Sequence, residues 1–269
     1  MDLIVLGPGR AGTAIGLVAV ASGHRIVGVA ARDATAAETA AERLESRPLV
    51  WGDGLPTADL LVVAVRDAAI AEVADVYAGR AADVEGATHL SGLVPPDALS
   101  PLGVPVAAFH PLQTIPTAEA GAERLSGAFI GITSDDDLLS DRLFGLARSF
   151  GSRPFELANE VRAVYHAAAA ASANYTIAAL AVAHRLFAAA GVDPAVAEPL
   201  VRAVVDNALA MGPLEALTGP ISRGDVETVR AQVEAVRSAA PDVAGAFEAM
   251  AIATGIVADA TDTVSEALR

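Results

Sequence analysis

Three glycines and three histidines are the residues of this chain whose types and spacing can do chemistry. Gly7, Gly9 and Gly12 lie in "GPGRAGTAIG" and fit G-x-G-x-x-G. In that pattern the first glycine permits a tight turn, the second lets backbone approach a pyrophosphate, and the third lets a helix pack on a strand. A chance turn has the same spacing, so the flanking elements must decide. His110 in "FHPLQT" and His166 in "VYHAAAAASANY" are candidate proton donors, because imidazole titrates near neutrality. His89 in "HLSG" is a weaker candidate, with a strand-end hydrogen bond as its simpler role. His24, after a helix-ending glycine, and His184, among packing residues, are read as structural.

Further polar residues accompany these. His166, Ala170 and Asn174 are spaced by four, which on a continuous α-helix puts them on one face. The alanines between them leave room for a ligand or for a closely packed helix, and a satisfied core network is the competing reading. Arg32 ends the apolar run "RIVGVAA", where an acidic residue would bind ribose hydroxyls; a guanidinium instead suits a 2′-phosphate, so NADP is expected rather than NAD. A merely solvated Arg32 is the alternative, and Asp33 stands next to it. In "LTGPISRGD", Arg223 is available for a substrate carboxylate, although a helix-connecting loop with Asp225 as cap accounts for part of that motif without a ligand.

These groups need elements to hold them. "DLIVLG" reads as a short buried strand, Ala11 to Ser22 as a helix stopped by Gly23, and "HRIVGVAAR" as a second strand, so the glycines sit inside a βαβ unit. In that setting the N–H groups of the first helical turn, including those of Arg10 and Ala11, face the phosphates. A helix over 34–45, strands at "PLVW" and "ADLLVVAV", and a helix capped by Asp67 follow. Strands at "ATHLS", "VPVAAF" and "AFIGITS" and a helix over 136–150 complete an alternating α/β pattern up to about Phe155. Beyond it only helical periodicity remains. The expected fold is therefore a doubly wound α/β Rossmann domain over 1–155, followed by an all-α domain over 156–269. Ligands of such sheets bind outside the carboxyl ends of the strands, where Val65, Ser91, His110 and Gln113 are expected.

Composition narrows the chemistry. All eighteen basic residues are arginine, so Schiff-base chemistry and a lysine acid are excluded. The absence of cysteine excludes thiolate nucleophiles, disulfides and sulfur-bound metals, and no metal site is expected. A net charge of −15 opposes nucleic-acid binding. "LIVLG" is too short for a signal peptide, and the alanine-rich run over 167–190 is broken by Ser172, Asn174, Thr176, His184 and Arg185, so no membrane span is expected and the cytoplasm is the expected location.

With the glycine motif, "FHPLQT", "YHAAAAASANY" and "ALTGPISRGD" resemble, in order and over nearly the whole chain, the Rossmann-like proteins bearing the domain of unknown function 2520, within the 6-phosphogluconate dehydrogenase-like superfamily. The resemblance implies an NADP-binding domain, a helical second domain and a homodimer formed through it. Related ketopantoate reductases, pyrroline-5-carboxylate reductases and 3-hydroxyacid dehydrogenases place a lysine and an asparagine on the first long helix of the second domain. Here His166 stands where that lysine would be sought, and Asn174 lies two turns on.

The expected activity is NADPH-dependent reduction of a small oxo or imino acid, ketopantoate being the best single candidate. In that scheme His166 is the proton donor, Asn174 and Ser91 orient the C=O or C=N group, His110 and Gln113 shape the cleft, and Arg223 binds the carboxylate. A non-catalytic NADP-binding regulator or scaffold is the alternative; a deazaflavin cofactor is a third reading, disfavoured by Arg32.

Overall fold

In the computed structural model, which describes residues 1–269, β1 (Asp2–Leu6) runs Leu3, Ile4, Val5 and Leu6 in succession with all four fully buried. Side chains alternate across a strand, so Leu3 and Val5 join one apolar cluster while Ile4 and Leu6 join another. A strand buried on both faces needs a layer on each side, which explains its unbroken apolar run. Burial of each such side chain contributes roughly 1.5–3 kcal/mol. β4 (Leu60–Val63) repeats the pattern beside it.

The sheet has eight strands, adding β2 (Arg25–Ala30), β3 (Pro48–Leu49), β5 (Ala87–His89), β6 (Val106–Leu112), β7 (Phe129–Ser134) and β8 (Arg153–Glu156), in the order β3-β2-β1-β4-β5-β6-β7-β8. Neighbours from β3 to β6 are parallel. β7 is antiparallel to β6, and β8 is parallel to β7. The order reverses between β1 and β4, the switch point at which open α/β sheets bind ligands.

Helices α1 (Arg10–Ala21), α2 (Ala34–Arg43), α3 (Ile70–Val76), α4 (Ala118–Leu125) and α5 (Asp137–Ser149) link the strands. Asp136 caps α5, accepting from the Leu139 amide at 2.8 Å. Asp67 does not cap a helix. It opens a 3₁₀ turn before α3, and its carboxylate takes a side-chain partner from another loop instead.

Two compact units divide the chain at Ala170. Strands end at Glu156, close to the expected boundary at 155, yet the first unit runs on through α6 (Arg162–Ala170), because Arg162 is buried within that unit. The second unit opens with a π-helical turn, Ala171–Tyr175, and contains α7 (Thr176–Ala189), α8 (Glu198–Met211), α9 (Pro213–Ala216), α10 (Val226–Ala239), α11 (Ala244–Val257) and α12 (Thr261–Ala267). Asp193 caps the turn that starts at Pro194 and leads into α8. α10 buries Val229, Val233 and Val236, one stripe at helical spacing. α8 buries none of its fourteen residues. No helix is long and apolar enough to cross a membrane.

Candidate active site

Each glycine of the opening motif has its own physical reason. Gly7 has φ +83°, and a Cβ there would lie 2.6 Å from Val65 Cγ1. A Cβ on Gly12 would lie 2.6 Å from the Gly7 carbonyl oxygen and 2.8 Å from Ala64 Cβ, so the helix packs on the strand ends only without a side chain. Gly9 is different: nothing lies within 4 Å of its missing Cβ. It is the N-cap of α1 and supplies no side-chain cap, while its carbonyl already accepts from the Thr13 amide. The amides of Arg10, Ala11 and Gly12, in the first turn of α1, have no backbone acceptor, and the positive end of a helix suits an anion.

Beside this turn Gly7, Arg32, Trp51, Val65, Arg66 and Val73 are among the residues lining a cleft of about 180 Å³. Arg32 lies over the Trp51 ring, 5.8 Å from its centroid, and Trp51 packs edge-on against Tyr77. The Arg32 guanidinium is 2.6 Å from Glu72 Oε1, both side chains being exposed. Such a pair contributes 0–1 kcal/mol and yields easily to a better anion. Asp33 is engaged as the cap of α2, accepting from the Thr35 amide at 3.0 Å. Arg10 is exposed and reaches the Pro116 carbonyl at 3.4 Å.

From Val65 a chain of contacts crosses the strand ends. Two residues on, Asp67 accepts a hydrogen bond from Ser91 Oγ at 2.8 Å, and that oxygen accepts from the amides of Leu93 and Val94 at 3.1 and 3.0 Å. Ser91, expected to orient the reacting group, thus has its hydroxyl fully committed to the turn after β5. His89 also belongs to this turn. Its Nε2 donates to the Pro95 carbonyl and its Nδ1 accepts from the Ser91 amide, both at 3.2 Å, and burial pushes its pKa down to about 4. It is a neutral strut, the simpler of its two expected roles.

Arg162 was not singled out by sequence. Only 2% of it is exposed; Nη2 donates to the Ser91 carbonyl at 2.6 Å, Nη1 to Thr133 Oγ1 at 2.7 Å, and Nε has no partner. Burial lowers its pKa, although Tyr165 and Asp67 oppose that shift. Its i+3 and i+4 neighbours, Tyr165 and His166, share its helical face, a spacing visible in the sequence.

His110 and His166 meet at Gly92. A Cβ there would lie 2.8 Å from His110 Cε1, from His110 Nε2 and from His166 Cδ2, so both imidazoles close on the turn because it has no side chain. Their ring centroids are 6.2 Å apart. His110 Nδ1 is 2.9 Å from the Tyr165 hydroxyl. Burial first, then His166 and Arg162, push the His110 pKa down to about 4, so this ring is neutral at pH 7. Gln113 extends from the same strand into solvent, its Oε1 accepting from the Thr114 amide at 2.9 Å.

In the second unit Asn174 is exposed within the π-helical turn. The expected single-face ladder of His166, Ala170 and Asn174 presumes unbroken α-helix; the i→i+5 turn adds a residue and breaks that register. Arg223 is exposed in the loop before α10, where Asp225 caps the helix by accepting from the Thr228 amide at 3.1 Å. A separate cavity of about 290 Å³ in this unit is lined by Val182, Leu186, Ile221, Phe247 and Met250 among others.

Comparison with known proteins divides the chain earlier than its two compact units do. The Rossmann-like domain family matches residues 1–111, and the domain of unknown function 2520 matches residues 128–254. No curated protein matches the sequence. Among solved structures, a Bacteroides fragilis protein provisionally described as an NADP oxidoreductase is similar with TM-score 0.81 and 22% identity, over 94% of this chain and 97% of that one. Streptomyces aurantiacus imine reductase is similar with TM-score 0.62 and 16% identity, over 100% of both chains. Coxiella burnetii pyrroline-5-carboxylate reductase is similar with TM-score 0.60 and 16% identity, over 98% and 97%. At these identities the likeness establishes a shared α/β fold. The chain thus joins a Rossmann-like domain to a domain of unknown function 2520.

Proposed function

We propose that this protein is an NADP(H)-dependent oxidoreductase that reduces the C=O or C=N bond of a small oxo or imino acid, with ketopantoate the first 2-oxo acid to try. The observation that carries the reading is the open space at Gly9, the N-cap of α1, beside first-turn amides that have no backbone acceptor. Those amides would hold the pyrophosphate, and the cleft between Gly7, Val65 and Trp51 the adenosine, with Arg32 exchanging Glu72 for a 2′-phosphate. The kinship of fold with an imine reductase and a pyrroline-5-carboxylate reductase supports the reaction class.

A bound nicotinamide cofactor supplies hydride to the substrate carbon. The chain's residues supply the rest. His166 donates the proton that the heteroatom gains, neutral His110 hydrogen-bonds that heteroatom, and Gln113 borders the site. Within the helical unit, exposed Asn174 and Arg223 are the polar groups offered to a ligand, Arg223 to a carboxylate. A positioned acid of this kind is typically worth about 10² to 10⁴ in rate. We also propose a homodimer through the helical unit, supported by the unburied α8.

The test is titration of the full chain with NADPH and NADH, followed by a screen for NADPH oxidation with 2-oxo acids and cyclic imines. NADPH is expected to bind at least about tenfold tighter, ~1.4 kcal/mol, and at least one acid to be turned over. Equal affinity for the two cofactors would remove Arg32 from its role. Tight NADPH binding without any turnover would leave a non-catalytic NADP-binding protein.

A further inference from the structure

His110 makes one hydrogen bond to protein, through Nδ1 to the Tyr165 hydroxyl at 2.9 Å. The two rings stand perpendicular, 5.5 Å between centroids, and Tyr165 is held on its other side by Phe155 at 6.0 Å. A neutral imidazole has one N–H and one lone pair, and its partners decide which nitrogen has which. The phenol is half-buried and protonated, burial raising its pKa. Its O–H is a donor, and Nδ1 is the protein acceptor in reach. With the bond in that direction the proton of His110 resides on Nε2. That atom lacks a protein partner and is not sealed from solvent. It lies against Gly92, on the side where His166 also converges.

We propose that Tyr165 is a positioning residue: by donating to Nδ1 it fixes His110 as the Nε2–H tautomer and presents that N–H, beside His166, to a hydrogen-bond acceptor on the substrate. The identity of the acceptor, a carbonyl oxygen or an imine nitrogen, rests on the reductase reading; the tautomer does not. His110 keeps its proton throughout, because it is neutral and its N–H only polarises the acceptor. The proton gained by the product comes from His166. Tyr165 touches neither substrate nor cofactor and acts through His110 alone.

The test compares the ¹⁵N-histidine-labelled full chain with its Tyr165→Phe variant, which keeps the ring packed on Phe155 and removes only the hydroxyl. Two-bond ¹⁵N–¹H spectra at neutral pH are expected to show the His110 proton on Nε2 in the wild type and a mixture of tautomers in the variant. With a substrate from the screen, kcat is expected to fall by about 10- to 100-fold with NADPH affinity unchanged. A wild-type proton on Nδ1, or a variant that keeps the wild-type tautomer, overturns the proposal. Absence of turnover in the wild type would count against the reductase reading, and the spectra would still decide the role of Tyr165.

Discussion

Ser91 Oγ donates to the Asp67 carboxylate at 2.8 Å and thereby ties the loop after β4 to the turn after β5. The first loop follows Val65, which touches the glycine motif, and the second carries Gly92, on which His110 and His166 close. One side-chain hydrogen bond therefore links the proposed cofactor cradle to the proposed reaction centre. The same turn is held from below by Arg162 through the Ser91 carbonyl.

Arg162→Met should separate anchoring from packing. The substitution leaves the Ser91 carbonyl without its donor, an expected cost of about 1–3 kcal/mol, partly offset by removal of a desolvated charge. Because Arg162 helps to hold the His110 pKa down, that pKa is expected to rise above about 4 in the variant. Urea unfolding reads the first effect and an NMR titration of His110 the second. An unmoved titration would mean that the guanidinium is not felt at that ring.

Gly9 and Gly12 should respond oppositely to alanine. At Gly9 the added methyl meets nothing within 4 Å, so stability is expected to change by less than about 0.5 kcal/mol. NADPH binding is expected to weaken more than about tenfold, because the methyl occupies the approach to the amides. At Gly12 the methyl collides with backbone and Ala64, and a loss of about 1–3 kcal/mol is expected. Calorimetric titration and denaturant melts on both variants check this. Undiminished cofactor binding in Gly9→Ala would place the ligand elsewhere.

The parts of this molecule that follow from local pattern are legible in its sequence: the βαβ unit around the glycines, the cap at Asp225, the change to helix after the last strand. What escapes is decided by partners far along the chain. β7 reads as a strand, but nothing in "AFIGITS" says that it runs antiparallel to β6. Asp67 has a capping residue's type and place, yet its carboxylate faces Ser91, twenty-four residues on. Arg162 looks like a surface arginine until Thr133 and Ser91 supply its acceptors. Continuous helix was the natural reading of the alanine-rich run, and alanine spacing carries no signal for a π turn.

Acid should destabilise the fold before its carboxylates are titrated. His89 and His110 have pKa values pushed down to about 4, against 6.5 when unperturbed. Between these values the unfolded chain binds protons that the folded chain does not, so stability rises with pH across the window and is lost as pH falls from 6.5 towards 4. From pH 7 to pH 5 the loss is on the order of 2 kcal/mol per histidine. Urea midpoints should fall across that interval, and His110→Gln, which removes one proton uptake, should make the slope shallower. A slope identical to wild type would show that His110 is protonated in the folded protein as readily as in the unfolded one.

α8 makes the strongest demand for a partner. Leu200, Val204 and Met211 lie at helical spacing and are all more than half exposed. A helix gains its stability in water from packing an apolar face, and no residue of α8 is buried. A second copy presenting the same face satisfies both at once, as a two-fold interface requires. A stable interface needs about 800 Å² from each partner, more than one helix face supplies, so exposed side chains of the adjoining α9 such as Leu214 are expected to join it. Sedimentation of the full chain should give twice the monomer mass, and Val204→Glu should return it to the monomer, since burying an unpaired carboxylate costs several kcal/mol. A wild-type chain that sediments as a monomer at micromolar concentration would refute the dimer.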